Sequence, residues 1–94
     1  MEVPVAVFGD NEMASRRITV EVPEKILLAE KKNAESFGEE MRVLTAVKLY
    51  EMGRLTSGSA AELAGMSRVE FLLNLRKYKV FPLQAELEEL GGHA

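Results

Sequence analysis

The sequence predicts a mainly α fold: one or more N-terminal β-strands, then a helical bundle that contains a helix-turn-helix and assembles as a dimer. Three observations lead there. "RITVEV", residues 17–22, alternates apolar and polar side chains with the period of a half-buried strand. "FGEEMRVLTAVKLYEMG", 37–53, carries two apolar rows, Phe37, Met41 and Leu44 beside Val43, Ala46, Val47 and Tyr50. A helix with so wide an apolar face is buried on more than one side. "SAAELAGMSRVEF", 59–71, repeats a helix-start signal on either side of a glycine.

Ninety-four residues make a single domain, 1–94. A chain of this size buries roughly 60–65% of its unfolded surface, so a second copy or a partner adds to its stability. With 47% apolar and 29% charged residues it has the make-up of a soluble globular domain. It has no cysteine, which removes disulfides, thiolate metal sites and cysteine nucleophiles, and fits a cytoplasmic location. No apolar run approaches the length of a membrane span. "MEVPVAVFGD" has an early acid and no basic n-region, so it does not read as a secretory signal. The net charge of −3 argues against a surface that is basic all over, while leaving room for a basic face.

The elements follow in order. "VPVAVF", 3–8, is β-prone and stops at the turn signal Gly9-Asp10-Asn11. Residues 1–16 are an N-terminal arm; 1–12 read equally as an added arm, as residues before a start at Met13, or as an edge strand. In 17–22 the side chains of Ile18, Val20 and Val22 take one face, and Arg17, Thr19 and Glu21 the other. With no neighbour in view, that strand calls for pairing with a second copy about a two-fold axis. Residues 23–58 hold helices. Pro23 suits a first turn and "PEKILLAEKK" runs to about Lys32, with Asn33 ending it. Ser36, three residues before Glu39, is the expected cap of the central helix, and Arg42, Thr45 and Lys48 form its polar strip. Gly53 closes it in the left-handed conformation.

Residues 59–78 form the helix-turn-helix. Ser59 with Glu62 and Ser67 with Glu70 have capping-box spacing, and Met66 with Phe71 has the spacing of a hydrophobic staple. Each such cap stabilises by roughly 1 kcal/mol. The expected boundaries are a helix over 59–64, a turn at 65–66 and a longer helix over 67–78. Ala60, Ala61, Ala64 and Gly65 let the two helices approach closely. Against the helix-turn-helix pattern, Ala61, Met66 and Phe71 match; Asn74 stands where an apolar residue is expected, and Leu75 comes one place late. Phe71, Leu72, Leu75 and Tyr78 face inward, and Ser67, Arg68, Glu70, Leu73, Asn74 and Lys77 outward. Arg68 and Asn74 can make bidentate contacts with base edges. Arg76, Lys77 and Lys79, with Ser67 at the helix start, suit phosphates. The DNA-binding set is therefore Ser67, Arg68, Asn74, Arg76, Lys77 and Lys79. The competing reading is a helical corner whose charges are merely solvated, with Leu73 touching a protein instead of a thymine methyl.

Residues 79–94 form a tail. Pro82 holds residue 81 extended, and "VFPLQAELEEL" alternates Val80, Phe81, Leu83, Leu87 and Leu90 with acids. Those five are the partner-binding candidates, as anchors for a groove on another protein; Phe81 and Leu83 could equally close the domain's own core.

From "RITVEVPEKIL" through "LYEMGRLTSGSAAELAGMSRVEF" to "VFP", over roughly residues 17–90, the chain resembles an uncharacterised prokaryotic family of small antitoxins encoded beside PIN-domain, ribonuclease-like toxins. The resemblance implies a cytoplasmic homodimer that binds operator DNA at one end and neutralises a co-encoded PIN-domain toxin at the other. "RRITVEVPEKI" is also similar to the ribbon that opens ribbon-helix-helix antitoxins, which would present Arg17, Thr19 and Glu21 to the major groove. The alternative is a protein-interaction module whose helix-turn-helix is structural.

No enzyme, cofactor or metal site is expected. His93 lies beside Gly91 and Gly92 at the end of the chain. Glu39-Glu40 and Glu88-Glu89 are neighbours in a helix, so each pair points to different faces. "GDNE" is too short for a calcium loop, and "TSGSA" lacks the lysine of a phosphate-binding loop. The five methionines suit gap-filling in the core.

Overall fold

The computed structural model describes the backbone of residues 2–5 and residues 15–82. Strand β1, Glu2–Val5, is followed by β2, Ile18–Glu21, and four helices: α1, Glu24–Glu30; α2, Ala34–Glu51; α3, Ser57–Ala64; and α4, Arg68–Asn74. A single 3-10 turn, Leu75–Tyr78, continues α4.

The strand at 18–21 has its neighbour within the chain. β1 pairs with β2 antiparallel, Val3 opposite Val20 and Val5 opposite Ile18. The edge-strand reading of the N-terminal residues therefore holds for 2–5, and the pairing expected of a second copy is made internally. β1 also lies against α2. Below the ribbon, Val22 and Leu27 form a small core with Val20, Ala34, Phe37 and Met41 packed on it.

α2 is the central helix, and the apolar rows explain why. Its N-terminal half closes the small core and its C-terminal half the main one, where Ala46, Val47 and Tyr50 meet Ala60, Ala61, Phe71, Leu72, Leu75 and Val80. The rings of Tyr50 and Phe71 pack edge to face at 5.6 Å and 87°, fixing α4 on α2. Two local expectations are corrected. The cap of α2 is Asn33, not Ser36: Asn33 is extended, and its Oδ1 accepts the Ser36 N–H at 2.8 Å. Arg42 does not share an exposed strip with Thr45 and Lys48; it is buried, and its Nε donates to the Leu63 carbonyl at 2.9 Å.

The helices end alike. At α2, Gly53 N–H bonds the Tyr50 carbonyl and Arg54 N–H that of Leu49. At α3, Gly65 and Met66 bond Glu62 and Ala61 in the same pattern. These are Schellman turns, with left-handed glycines at φ 78° and 77°. Lys31 after α1 and Lys79 after the 3-10 turn take the glycine's place at φ 58° and 60°.

Candidate nucleic-acid interface

The corner is built from α3, Gly65-Met66 and α4. Its first helix starts two residues before the expected Ser59. Thr56 is the cap, its hydroxyl accepting the Ser59 N–H at 3.1 Å, so Ser59 takes the third helical position. Three hydroxyls in "TSGS" compete for the cap, and the extended backbone of Thr56 decides. The second start is as expected: Ser67 Oγ accepts the Glu70 N–H at 3.1 Å, while Met66 packs on the main core beside buried Phe71. The single expected helix over 67–78 is α helix only to Asn74, then tightens into the 3-10 turn. Leu75 takes the buried place that the helix-turn-helix pattern gives to position 74.

Ser67, Arg76, Lys77 and Lys79 are exposed, as a phosphate-facing set requires. Arg68 and Asn74 are half-buried and already engaged. Arg68 Nε donates to the hydroxyl of buried Ser57 at 2.9 Å, bridging the start of α4 to the start of α3. Asn74 Nδ2 donates to the Glu70 carbonyl at 2.8 Å. That bond uses one of the two amide N–H donors, so a pairing with an adenine edge through the second N–H and Oδ1 is compatible with it. Beside them, Val69 and Leu73 stand four residues apart on α4, 49% and 65% exposed, as an apolar pair on the outward face.

Charge is unevenly placed. Residues 53–82 contain Arg54, Arg68, Arg76, Lys77 and Lys79 against only Glu62 and Glu70, in a chain whose net charge is −3. The basic surplus lies in the residues that flank the corner, Arg54 before α3 and Arg76, Lys77 and Lys79 after α4, while 57–74 themselves carry Arg68 against Glu62 and Glu70. Arg42 sits behind the corner, where burial lowers its guanidinium from the ordinary arginine value and nearby Glu39 acts to raise it.

One residue outside the sequence-derived set stands beside this surface. Arg54 lines a cleft of about 620 Å³ together with Tyr50, Leu55, Ser57, Lys79 and Phe81. Its sequence signal is modest: it directly follows the C′ glycine of α2. On the ribbon, Arg17, Thr19 and Glu21 are exposed as expected, but so is Ile18, at 59%. In the tail, Val80 belongs to the domain's own core, which removes it as a partner anchor, whereas Phe81 is 75% exposed. Leu83, Leu87 and Leu90 lie outside the described residues. Among the described residues no group of acids or histidines is placed to hold a metal ion, and no helix is long and apolar enough to cross a membrane.

A family model for the uncharacterised protein family UPF0175 matches residues 13–92. The chain belongs to UPF0175. The UPF0175 match takes in β2, every helix and the whole corner, and begins at the methionine singled out in the arm. A UPF0175 protein of Archaeoglobus fulgidus is 48% identical over 52 residues, 55% of this chain and 59% of that protein's length. One from Aeropyrum pernix is 35% identical over 78 residues, 83% of this chain and 82% of the relative. The chain thus spans less than two thirds of the Archaeoglobus relative. No solved structure matches the chain.

Proposed function

We propose that this UPF0175 chain is a DNA-binding regulator that also acts as an antitoxin. Its α3–α4 corner lies on operator DNA as a homodimer, and another surface neutralises a co-encoded PIN-domain toxin. The observation that carries the DNA part is the coincidence of shape and charge. A small-residue corner with two capped helix starts is flanked by the cations Arg54, Arg76, Lys77 and Lys79 in a chain whose net charge is −3. The start of α4 enters the major groove, with Arg68 as the main base reader and Asn74 the second. Arg76, Lys77 and Lys79 hold phosphates. The antitoxin part rests on the likeness of residues 17–90 to antitoxins paired with PIN-domain toxins, and Phe81 is its exposed anchor among the described residues.

The test is a mobility-shift titration at low salt on the duplex upstream of the protein's own reading frame, with a scrambled duplex as control. Preference for the upstream duplex is expected. Equal affinity for both, with and without the toxin, would leave the corner as a structural element. The exposed pair Val69 and Leu73 favours the second reading, a protein-interaction module, because apolar side chains on an outward helix face gain from contact with a protein surface. Under that reading Leu73→Lys disrupts assembly; under the first it leaves assembly intact and alters only DNA affinity.

A further inference from the structure

We infer that Arg54 and Lys79 form a phosphodiester-binding cleft beside the corner, in which the protein grips the DNA backbone; this rests on the DNA-binding reading above. The two cations are 25 residues apart in sequence, yet they line one cleft. Each is held by a Schellman turn. Arg54 follows left-handed Gly53, and its own N–H bonds the Leu49 carbonyl at 2.8 Å. Lys79 is itself left-handed, and its N–H bonds the Arg76 carbonyl at 3.0 Å. Their backbones are therefore set before any ligand arrives, which lowers the ordering cost of binding.

Among the described residues neither Arg54 nor Lys79 has an ion-pair partner, and the lining acid Glu51 is bonded to Lys48 at 3.1 Å. Leu55, Val80 and Phe81 supply an apolar wall. Like charges in a cleft with low-dielectric walls concentrate the field and draw in a counter-charge. An arginine fork matches two phosphate oxygens, while a lysine supplies a point charge beside it. The cleft also adjoins the reading head, because Ser57 both lines it and accepts the hydrogen bond from Arg68. A backbone seated there lies next to the base-reading start of α4, and in the helix-turn-helix arrangement the first helix crosses the backbone there. An acidic segment of a protein would satisfy the same cations. The continuity with Arg68, and the basic surplus that runs on through Arg76 and Lys77, favour DNA.

The experiment measures binding of the upstream duplex by the full-length protein at salt concentrations from about 50 to 200 mM, for the wild type, Arg54→Gln, Lys79→Gln and Lys25→Gln. Lys25 is an exposed lysine on α1, an element that is not part of the corner. Each cation that releases a counterion adds about 0.9 to the slope of log affinity against log salt, so Arg54→Gln and Lys79→Gln should each shrink the fall in affinity across that range by about 3.5-fold. The loss should be the same on upstream and scrambled duplexes, and Lys25→Gln should match the wild type. An unchanged slope for Arg54→Gln, with unchanged circular dichroism, overturns the inference while leaving the DNA-binding reading standing. Absence of wild-type binding overturns that reading and the inference with it. Wild-type slope combined with lost capture of the co-encoded toxin gives the cleft to protein docking and also overturns the inference.

Discussion

Arg42 Nε donates to the Leu63 carbonyl at 2.9 Å, tying the middle of α2 to the last turn of α3 immediately before the corner glycine. The carbonyl is one of those left unpaired at a helix end, and the guanidinium adds a positive charge where the helix dipole favours one. Hydrogen bonds to charged groups contribute about 1.5–3 kcal/mol, and Arg42 is buried. Arg42→Ala should therefore destabilise the fold by about 2–3 kcal/mol in denaturant unfolding. A loss under 0.5 kcal/mol would remove this bond from the account of how the corner is held.

Gly65 sits at φ 77°, where a β-carbon meets the following carbonyl. Gly65→Ala should cost about 1–2 kcal/mol, read as a lower denaturant midpoint with unchanged m-value. Gly53 has the same backbone conformation and nothing within 4 Å of a β-carbon added there, so Gly53→Ala should cost only that strain. An alanine tolerated without loss at 65 would contradict the turn.

Lys31 carries the same strain without being glycine, at φ 58° and exposed. Relief of about 1–2 kcal/mol is partly offset by glycine's larger entropy loss on folding, so Lys31→Gly should stabilise the protein by about 0.5 kcal/mol. Thermal unfolding reads the sign directly, and a lower midpoint would show that the lysine side chain contributes more than its backbone costs.

The two kinds of corner residue should separate in binding. Arg68→Ala should cost about 1–3 kcal/mol on the upstream duplex and relax its preference over a scrambled one. Lys77→Ala should weaken both duplexes alike and lower the salt slope by about one. Ser57→Ala, which removes the hydroxyl that Arg68 bonds, should shift affinity in the same direction as Arg68→Ala if that bond aims the guanidinium. Isothermal titration at several salt concentrations measures all three, and equal effects of Arg68→Ala on both duplexes would deny Arg68 its reading role.

What was legible in the sequence was local. Ser67, Gly65, Met66 and Phe71 identify the start of α4 because a cap, a left-handed glycine and a staple are all satisfied within a few residues. The start of α3 was misplaced because Thr56, Ser57 and Ser59 can all cap, and only the backbone conformation chooses among them. Arg42 looked like part of a polar strip because its partner carbonyl is 21 residues away and leaves no periodic trace. The same holds for Arg68 with Ser57, for β1 with β2 and for Arg54 with Lys79. Each joins segments that helical or strand periodicity treats separately. Val80 read as an anchor because an apolar residue beside acids looks the same whether it fills its own core or another protein's.

The proposed DNA-binding surface is the α3–α4 corner, and not the β1–β2 ribbon. The most direct measurement is an amide chemical-shift titration of the isotope-labelled protein with the upstream duplex at low salt. Shifts concentrated on Arg54, on Thr56 to Ser59 and on Ser67 to Lys79, with the amides of Arg17 to Glu21 unmoved, are the expected result. Shifts confined to the ribbon, or none anywhere at saturating duplex, would contradict it.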